Sequence, residues 1–267
     1  MPARQSLAGI IFAALGAAFF STKAIFIKLA YQDQVDAALM LAYRMIFSLP
    51  VFAAIGWWAW MQRRERGELP PTWEQIWRAA FVGFLGYYVA SQFDFAGLMF
   101  ITAQLERLVL FTYPLFVMFL GAMLYGERVT VFGLFAAAVT YTGLGIVFLI
   151  DLPDGGRDTV IGTLLVLGAA ISFALHQIYA KRFMAPIGSA LFTSIALASA
   201  SFFCIVHQAV VSGGNFAASS RFLWLSAGCA IVATVLPTFL INAGLSRISS
   251  AAVSMIAETS TVLVTRG

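Results

Sequence analysis

Lys23 lies deep within the first apolar stretch of the chain, a position where a membrane-spanning helix seldom carries a charge. It belongs to the segment FFSTKAIFIKLAY, residues 19–31, which continues an apolar run that begins at Leu7. Its depth below the end of the predicted helix is about 12 Å at 1.5 Å per residue, too far for an easy reach to the lipid headgroups. A charge at this depth costs at least ~2.5 kcal/mol on insertion scales unless water or a partner solvates it. We therefore expect Lys23 to face the interior of a helix bundle.

If Lys23 is functional, we expect its ammonium to bind an anionic group of a substrate. The hydroxyl groups of Ser21 and Thr22 would lie beside the lysine. The alternative is structural, because Lys23 would also be satisfied by backbone carbonyls of a neighbouring helix. Lys28 and Lys181 differ from Lys23. Each lies near the end of a predicted helix, so we expect its ammonium to reach the headgroups.

A weak internal repeat supplies a counterpart for Lys23. An offset of 153 residues aligns the first predicted helix with the sixth and superposes these pairs: Gly9 and Gly162, Ala17 and Ala170, Phe20 and Phe173, Ile25 and Ile178, Lys28 and Lys181, and Lys23 and His176. Because the two helices would run in opposite directions, the repeat would be inverted, as in secondary transporters, whose substrate sites lie near the midplane between the halves. We expect His176 and Gln177 to line such a site, although a lone buried histidine is also a common core residue.

Three more ionisable residues lie near the outer ends of the third and fourth predicted helices. Glu106 and Arg107 are adjacent, so their side chains point about 100° apart on a helix and only one of them can face a given partner. Asp94, on the preceding helix, is a candidate for that partner. An outer gate, a structural ion pair and a substrate contact are all compatible with this arrangement. For Arg44, in the second helix, we favour a structural role.

Two tyrosines within the predicted helices are candidates for lining a cavity, Tyr87 and Tyr113, although most such tyrosines are packing residues with one bonded hydroxyl group. Tyr87 directly follows Gly86, a small residue that permits a close approach of helices or a bend. Pro114 and Pro237 mark two positions where we expect a helix to be irregular.

The composition places these residues in a membrane protein. Of the 267 residues, 61% are hydrophobic and 10% are charged, against about 25% charged in an ordinary soluble domain. Apolar runs of about 20 residues, the length that spans a bilayer as a helix, recur along the chain. The basic residues behind the net charge of +4 are scattered in short loops, a pattern that argues against nucleic-acid binding. We predict an all-α, polytopic membrane protein.

Motifs for catalysis or cofactor binding are not found in the sequence. It has no metal-ligand spacing among His, Cys, Asp and Glu, no Gly-x-Ser-x-Gly and no phosphate-binding glycine loop. Cys204 and Cys229 lie inside apolar runs and are expected to be packing residues. We therefore predict no catalytic residues, no metal and no cofactor, and expect any uphill transport to be driven by an ion gradient or by exchange.

Nine apolar spans are separated by polar breaks, at residues 7–31, 37–61, 76–99, 102–125, 130–150, 160–182, 189–211, 222–246 and 249 to the end. If the N-terminus is cytoplasmic, the inner segments hold nine basic residues and the outer segments hold only Arg157 and Arg221. The nine are Arg4, Arg63, Arg64, Arg66, Arg78, Arg128, Lys181, Arg182 and Arg247. Because Lys and Arg accumulate on the cytoplasmic side, this imbalance favours a cytoplasmic N-terminus.

Three segments, FFSTKAIFIKLAY, LMLAYRMIFSLPVF and TYPLFVMFLGAMLYGERVTVFGLFAAAVTYTGLGIVFL, resemble the EamA domain of the drug/metabolite transporter superfamily. The matching features are Lys28 in the first helix, Arg44 in the second, Tyr113 with Pro114 in the fourth, and the turn Gly126-Glu127-Arg128 before the fifth. The resemblance covers nearly the whole chain. It implies ten helices in two inverted five-helix repeats, here residues 1–150 and 151–267, and export of small metabolites across a bacterial inner membrane.

The second repeat departs from this pattern at its end. Glu258, in SSAAVSMIAETSTVLVTRG, occupies the place of Tyr113, but Thr259 stands where the resemblance predicts proline. The first repeat continues for about 35 residues beyond the corresponding point. We therefore expect about four helices in the second repeat, without a tenth helix in the chain, and by analogy we expect Glu258 to face the cavity.

The combined prediction is a secondary transporter that exports small metabolites, such as amino acids and related amphipathic compounds, by alternating access. Its predicted partners are a small-molecule substrate and the lipid bilayer, and not a nucleic acid. One alternative is a passive channel or facilitator built on the same bundle. Another is a membrane-embedded enzyme or a structural subunit, because a fold does not by itself determine a function.

Overall fold

The computed structural model describes residues 7–22, 26, 29–30, 37–126, 129, 131–250, 252–253 and 255–256, and the regular structure of these residues is entirely helical. In chain order the elements are α1 (Leu7–Ser21), α2 (Ala37–Glu65), α3 (Trp73–Gly83), a first π-helical segment (Phe84–Val89), α4 (Ala90–Leu98), α5 (Ala103–Leu110), α6 (Tyr113–Tyr125), α7 (Val131–Gly155), α8 (Arg157–Phe183), α9 (Ser189–Val211), α10 (Ser220–Ala230), a second π-helical segment (Ile231–Val235) and α11 (Leu236–Leu245). Lys23, Lys28, Glu127, Arg128 and Glu258 lie outside the described residues.

Five helical stretches of the described chain are long and apolar enough to cross a membrane: Ala38–Glu65, Leu105–Tyr125, Arg157–Phe183, Ser189–Val211 and Ser220–Leu245. The prediction of an all-α, polytopic membrane protein is confirmed. The span predicted at 189–211 coincides with α9, whereas α7 continues to Gly155, five residues beyond the predicted end at 150. The break after α7 is therefore short, and Gly156, with φ of 52°, makes the turn into α8.

Both expected irregularities next to proline are present. The helix that crosses residues 103–125 is interrupted at Phe111 and Thr112, directly before Tyr113 and Pro114. Pro114 removes one backbone donor, and the Thr112 hydroxyl donates to the carbonyl of Val109 at 2.6 Å. The second π-helical segment ends just before Pro237. A proline thus lies next to each of these two departures from regular α-helix.

Two compact units can be distinguished in the chain. The first comprises Met1–Phe84 and Ala180–Gly267. In this unit α2 packs along α9 and α1 along α11, and α3 and α10 pack on α9 and α2, respectively. The helices approach closely at glycines: a β-carbon on Gly83 would lie 1.9 Å from the carbonyl oxygen of Ala196. Such contacts leave room only for a hydrogen atom at position 83.

Buried polar groups also join helices within the first unit. The side-chain amide of Asn242, on α11, donates to the hydroxyl oxygen of Thr193, on α9, at 2.8 Å. The ammonium of Lys181 donates to the carbonyls of Leu245 and Ile248. Lys181 was expected at the headgroups, but it instead satisfies free carbonyls at the C-terminus of α11, where a positive charge is favourable.

The second unit comprises Leu85–Tyr179. Here α4 packs on α8 through small residues, because a β-carbon on Gly97 would lie 3.0 Å from the carbonyl oxygen of Gly162 and 2.5 Å from Cγ2 of Val166. Further along the same stripe of α8, at four-residue spacing, Ala170, Ala174 and Ile178 pack with Tyr113 and Val117 of α6 in one cluster. As a result, α8 packs on α4 nearer its N-terminus and on α6 further along its length.

Matching local features occur at pairs of distant positions in the chain. A β-carbon on Gly244 would lie 3.0 Å from the carbonyl oxygen of Gly9, the same contact that Gly97 makes with Gly162 in the other unit. Gly244 follows Gly97 by 147 residues, and Gly162 follows Gly9 by 153. The α3 and α10 helices, also 147 residues apart, begin alike: the hydroxyl of Thr72 accepts from the amide of Gln75 and that of Ser219 from the amide of Phe222. Each of these helices then leads into a π-helical segment.

Candidate functional site

His176, on α8, is held among aromatic rings and a glycine within the second unit. Its side chain is 2% exposed. The imidazole stacks on the ring of Phe173, with centroids 5.8 Å apart and an angle of 15°, and meets the ring of Tyr87 edge to face at 4.7 Å. A β-carbon on Gly86 would lie 2.2 Å from Cγ of His176. The absence of a side chain at position 86 therefore makes the space that the imidazole fills.

The first π-helical segment presents Gly86 and Tyr87 to this histidine. A π-helical turn contains one residue more than an α-helical turn and displaces the normal ladder of backbone hydrogen bonds. The hydroxyl of Ser172 donates to the carbonyl of Leu85 at 2.8 Å. Because Ser172 lies one turn before His176 on the same face of α8, the hydrogen bond and the ring contacts fix the segment against α8 at two adjacent levels.

Tyr113 extends the aromatic contacts to α6. Its ring lies edge to face with that of Phe173, with centroids 5.3 Å apart, and its side chain is 7% exposed. Tyr113 is the first residue of α6, directly after the interruption at Phe111 and Thr112. The rings of Tyr87, His176, Phe173 and Tyr113 thus form one continuous row, which we call the aromatic row, from the first π-helical segment across α8 to α6.

Gln177 lies beside the aromatic row. One turn separates it from Phe173, so both side chains lie on the same face of α8. The residue is 3% exposed, and its Oε1 atom has no hydrogen-bond donor among the described residues. A buried amide oxygen without a donor costs about 1–3 kcal/mol. Gln177 is therefore a candidate for hydrogen bonding to a group outside the described chain.

The predicted gating residues lie on α4 and α5 of the same unit. Asp94 is 8% exposed, and its Oδ1 atom has no hydrogen-bond donor in the described chain. Glu106 is buried and Arg107 is half-buried. Asp94 forms no ion pair with Arg107 or with any other described residue. A role of these three residues in gating stays a prediction.

Two of the remaining predicted site residues, Ser21 and Thr22, lie in the first unit. Ser21 ends α1, and the hydroxyl of Thr22 donates to the carbonyl of Phe19 at 2.7 Å, as a residue at a helix end commonly does. Lys23 and Glu258 lie outside the described residues. The structure therefore brings Tyr87, Tyr113, His176 and Gln177 together, and their relation to the other four stays a prediction.

Phe173 and Gly86 are contact residues to which the sequence assigned no site role. The sequence indicates Phe173 only as the counterpart of Phe20 in the internal repeat, although its spacing of three residues from His176 places both on one face of a helix. The sequence predicts a close approach at Gly86 but does not indicate which residue approaches it. A metal site is not suggested by the described residues, which contain no group of three or more His, Cys, Asp or Glu side chains within reach of one ion.

A model of one protein family matches residues 7–149, more than half of the chain, and that family is described as the EamA-like transporter family. The chain belongs to the EamA-like transporter family. The transporter is a multi-pass membrane protein, in agreement with its apolar helices. The resemblance inferred from the first, second, fourth and fifth helices is thereby confirmed.

Two individual proteins resemble the transporter over most of its length. An uncharacterized transporter of Bacillus subtilis (strain 168), YcbK, is 26% identical over 266 residues, which cover 94% of this chain and 82% of that protein. A protein of known crystal structure is 20% identical, with a TM-score of 0.71 and coverage of 98% of this chain and 88% of its own. At this identity the second similarity concerns the fold alone.

Proposed function

We propose that this protein is a secondary transporter that exports small metabolites, in the class of amino acids and related amphipathic compounds, by alternating access. It would lie in a bacterial inner membrane with its N-terminus in the cytoplasm, as the distribution of Lys and Arg between the loops favours. The substrate would bind beside the aromatic row. No catalytic step is part of this proposal.

The observation that carries the proposal is the unpaired amide oxygen of Gln177. A buried acceptor without a donor is costly, and such groups in a native protein call for an explanation. A transported compound with an ammonium, amide or amine N–H group would supply the donor. The aromatic row next to Gln177 would cover the apolar part of the same compound, as aromatic side chains do in many ligand sites.

Two repeats, residues 1–150 and 151–267, form the second part of the proposal. The matching glycine contacts and the matching π-helical segments in corresponding helices support it. Helices of opposite orientation with equivalent packing are the basis of alternating access, because each repeat can adopt the conformation of the other. Lys23, the counterpart of His176 in the first repeat, would then contribute the charge that attracts an anionic group.

A thermal-shift screen tests the proposed substrate site. Purified protein would be heated with amino acids, nucleobases, sugars and amphipathic amines, since a compound that binds only the folded state raises the apparent melting temperature. Gln177→Leu removes the amide and keeps a similar volume. The matched control is Gln208→Leu, because Gln208 is also buried with an Oε1 atom that lacks a donor but lies on α9.

We expect at least one amino acid or amphipathic amine to raise the melting temperature of the wild-type protein and of Gln208→Leu, and to have little effect on Gln177→Leu. Loss of a neutral hydrogen bond corresponds to about a threefold to tenfold weaker affinity, and loss of a charge-assisted one to about a tenfold to hundredfold weaker affinity. Equal shifts in all three proteins would contradict a substrate site at Gln177. Shifts produced only by sugars or nucleobases would contradict the proposed substrate class.

A further inference from the structure

An open apolar groove runs along the outside of the first unit between α2 and α9. It has a volume of about 410 Å³, and its walls include Phe52, Ala53, Gly56, Trp57, Trp60 and Ser194. The groove exists because small side chains face one another here, since a β-carbon on Gly56 would lie 2.8 Å from Cβ of Ser194. Almost all of its surface is hydrocarbon. Both helices are long and apolar enough to cross the membrane, where a groove of this composition would accept a hydrocarbon chain.

Aromatic residues mark the end of the groove that approaches the membrane surface. Trp57 is 63% exposed, and its ring lies 5.2 Å from that of Trp60. Tryptophans collect at the level of the lipid headgroups, where the indole ring is partly in hydrocarbon and partly in water. Pro71, at the same end of the groove, belongs to the polar segment between α2 and α3. The groove therefore extends from the headgroup level into the hydrocarbon of one leaflet.

A positive charge continues the groove beyond the tryptophans. Ala53, Trp57, Trp60 and Arg64 follow one another at spacings of four, three and four residues, so they form a single stripe on α2. Arg64 lies one turn beyond Trp60, about 6 Å along the helix axis. Its guanidinium is exposed and forms no ion pair with a described residue.

Neighbouring arginines are already engaged. Arg63 forms an ion pair with Glu68 at 3.1 Å and donates to the carbonyl of Pro186. Arg78 is paired with Glu74. Arg64 and Arg66 have no described carboxylate partner, and of the two Arg64 lies on the stripe of the groove. The end of the groove thus combines an apolar channel with a cation one helical turn beyond the tryptophans.

We propose that this groove binds one acyl chain of an anionic phospholipid, with the phosphate or the charged headgroup held by Arg64. The apolar walls match the chain, and the unmatched guanidinium distinguishes an anionic lipid from a zwitterionic one. This proposal does not depend on the substrate site, because every residue it uses lies in the first unit and none belongs to the aromatic row.

Retention of lipids through purification tests the proposal. Protein reconstituted with equal amounts of phosphatidylglycerol and phosphatidylcholine would be extracted in mild detergent, and the lipids that remain bound would be counted by native mass spectrometry. We expect the wild-type protein to retain phosphatidylglycerol over phosphatidylcholine by roughly fivefold, the effect of one basic residue near an anionic headgroup. Glycerol phosphate, added without acyl chains, should not displace the retained lipid.

Two pairs of variants separate the groove from the charge. Ala53→Phe fills the groove from an exposed position and should reduce retention of both lipids, whereas Ala54→Phe, exposed but pointing about 100° away, should leave retention unchanged. Arg64→Gln should make the protein retain phosphatidylglycerol and phosphatidylcholine in equal amounts. Arg66→Gln is the matched control, because the guanidinium of Arg66 lies off the stripe and donates to the side chain of Gln62. This variant should still retain phosphatidylglycerol over phosphatidylcholine.

The thermal stability of each variant would be measured alongside, so that a change in lipid retention is interpreted only for folded protein. Equal retention of both lipids by the wild-type protein would overturn the role of Arg64. Equal retention by Ala53→Phe and Ala54→Phe would overturn the groove as the binding site. Displacement by glycerol phosphate alone would show that a free phosphate, and not a lipid, is the ligand of Arg64.

Discussion

Gly86 and His176 fit together so closely that a β-carbon at position 86 would stand 2.2 Å from Cγ and 2.5 Å from Cβ of the histidine. These are atoms near the backbone of His176, so the side chain cannot turn away from them by changing its outer torsion angle. The contact joins the first π-helical segment to α8 in the centre of the aromatic row. The position of Tyr87 against the imidazole therefore depends on the glycine that precedes it.

Replacement of Gly86 by alanine should destabilise the protein by about 1–3 kcal/mol, the usual cost of overpacking a buried contact. The double variant Gly86→Ala/His176→Ala should recover part of this loss, because the smaller side chain at position 176 gives the new methyl group room. Gly143→Ala is the control, since no described atom lies within 4 Å of a β-carbon at that position. Apparent melting temperatures in detergent give the comparison. If Gly86→Ala were as harmless as Gly143→Ala, the described packing would be wrong.

The hydrogen bond between Asn242 and Thr193 should contribute modestly to the stability of the first unit. Interhelical hydrogen bonds inside membrane proteins contribute about 0.6 kcal/mol on average and up to about 1.7. A double-mutant cycle with Asn242→Leu and Thr193→Val measures this coupling. Thr238→Val is a suitable control, because the hydroxyl of Thr238 donates to the carbonyl of Thr234, four residues earlier, and not to another helix. Coupling energies near zero for Asn242 and Thr193 would contradict the bond.

The positions of the membrane helices could be predicted from the sequence because burial in lipid requires long uninterrupted apolar runs. The run at 189–211 ends where polar residues begin, and α9 has the same limits. Pro114 and Pro237 also indicated two irregular helices, since proline lacks a backbone donor. These features depend on local composition, which a single sequence contains.

The contacts of His176 could not be predicted in the same way. The internal repeat paired His176 with Lys23, but the residues that enclose its ring within the second unit are Gly86, Tyr87 and Phe173. The π-helical segment has no sequence signature of its own, and the hydroxyl that donates to its Leu85 carbonyl belongs to Ser172, 87 residues further along the chain. Packing partners of this kind follow from tertiary structure.

Asp94 should control the conformational balance of the transporter more than its substrate selectivity. The Asp94→Asn variant replaces a buried carboxyl group by an amide of similar size and should therefore keep or raise the melting temperature. It should shift the balance between outward-open and inward-open states, measured by the reactivity of Met99→Cys with an impermeant maleimide added to either side. Cys204 and Cys229 are buried and should react slowly.

Asp158→Asn serves as the control for Asp94→Asn, because Asp158 is exposed at the start of α8. This control should leave the reactivity of the reporter cysteine unchanged. An altered substrate profile with an unaltered balance in Asp94→Asn would place Asp94 in the substrate site instead of a gate.

Lys23 should matter for binding and not for folding. If its ammonium faces the substrate cavity, Lys23→Met should weaken the binding of anionic or zwitterionic compounds by ~1.5–3 kcal/mol, the contribution of a charge-assisted hydrogen bond. The variant Lys28→Met should have little effect, because the ammonium of Lys28 is expected among the headgroups. Binding and apo stability would be measured on the same samples. Unaltered affinity together with a large loss of apo stability would assign Lys23 a bracing role.

Counterflow in proteoliposomes tests the central claim, that the chain is a carrier with a substrate site beside the aromatic row. Vesicles would be loaded with the compound that gives the largest thermal shift and diluted into the labelled form of the same compound. The account predicts a saturable, transient accumulation of label that Gln177→Leu reduces and Gln208→Leu preserves. Uptake that rises in proportion to concentration without an overshoot, and that is equal in all three proteins, would contradict it and favour a passive channel.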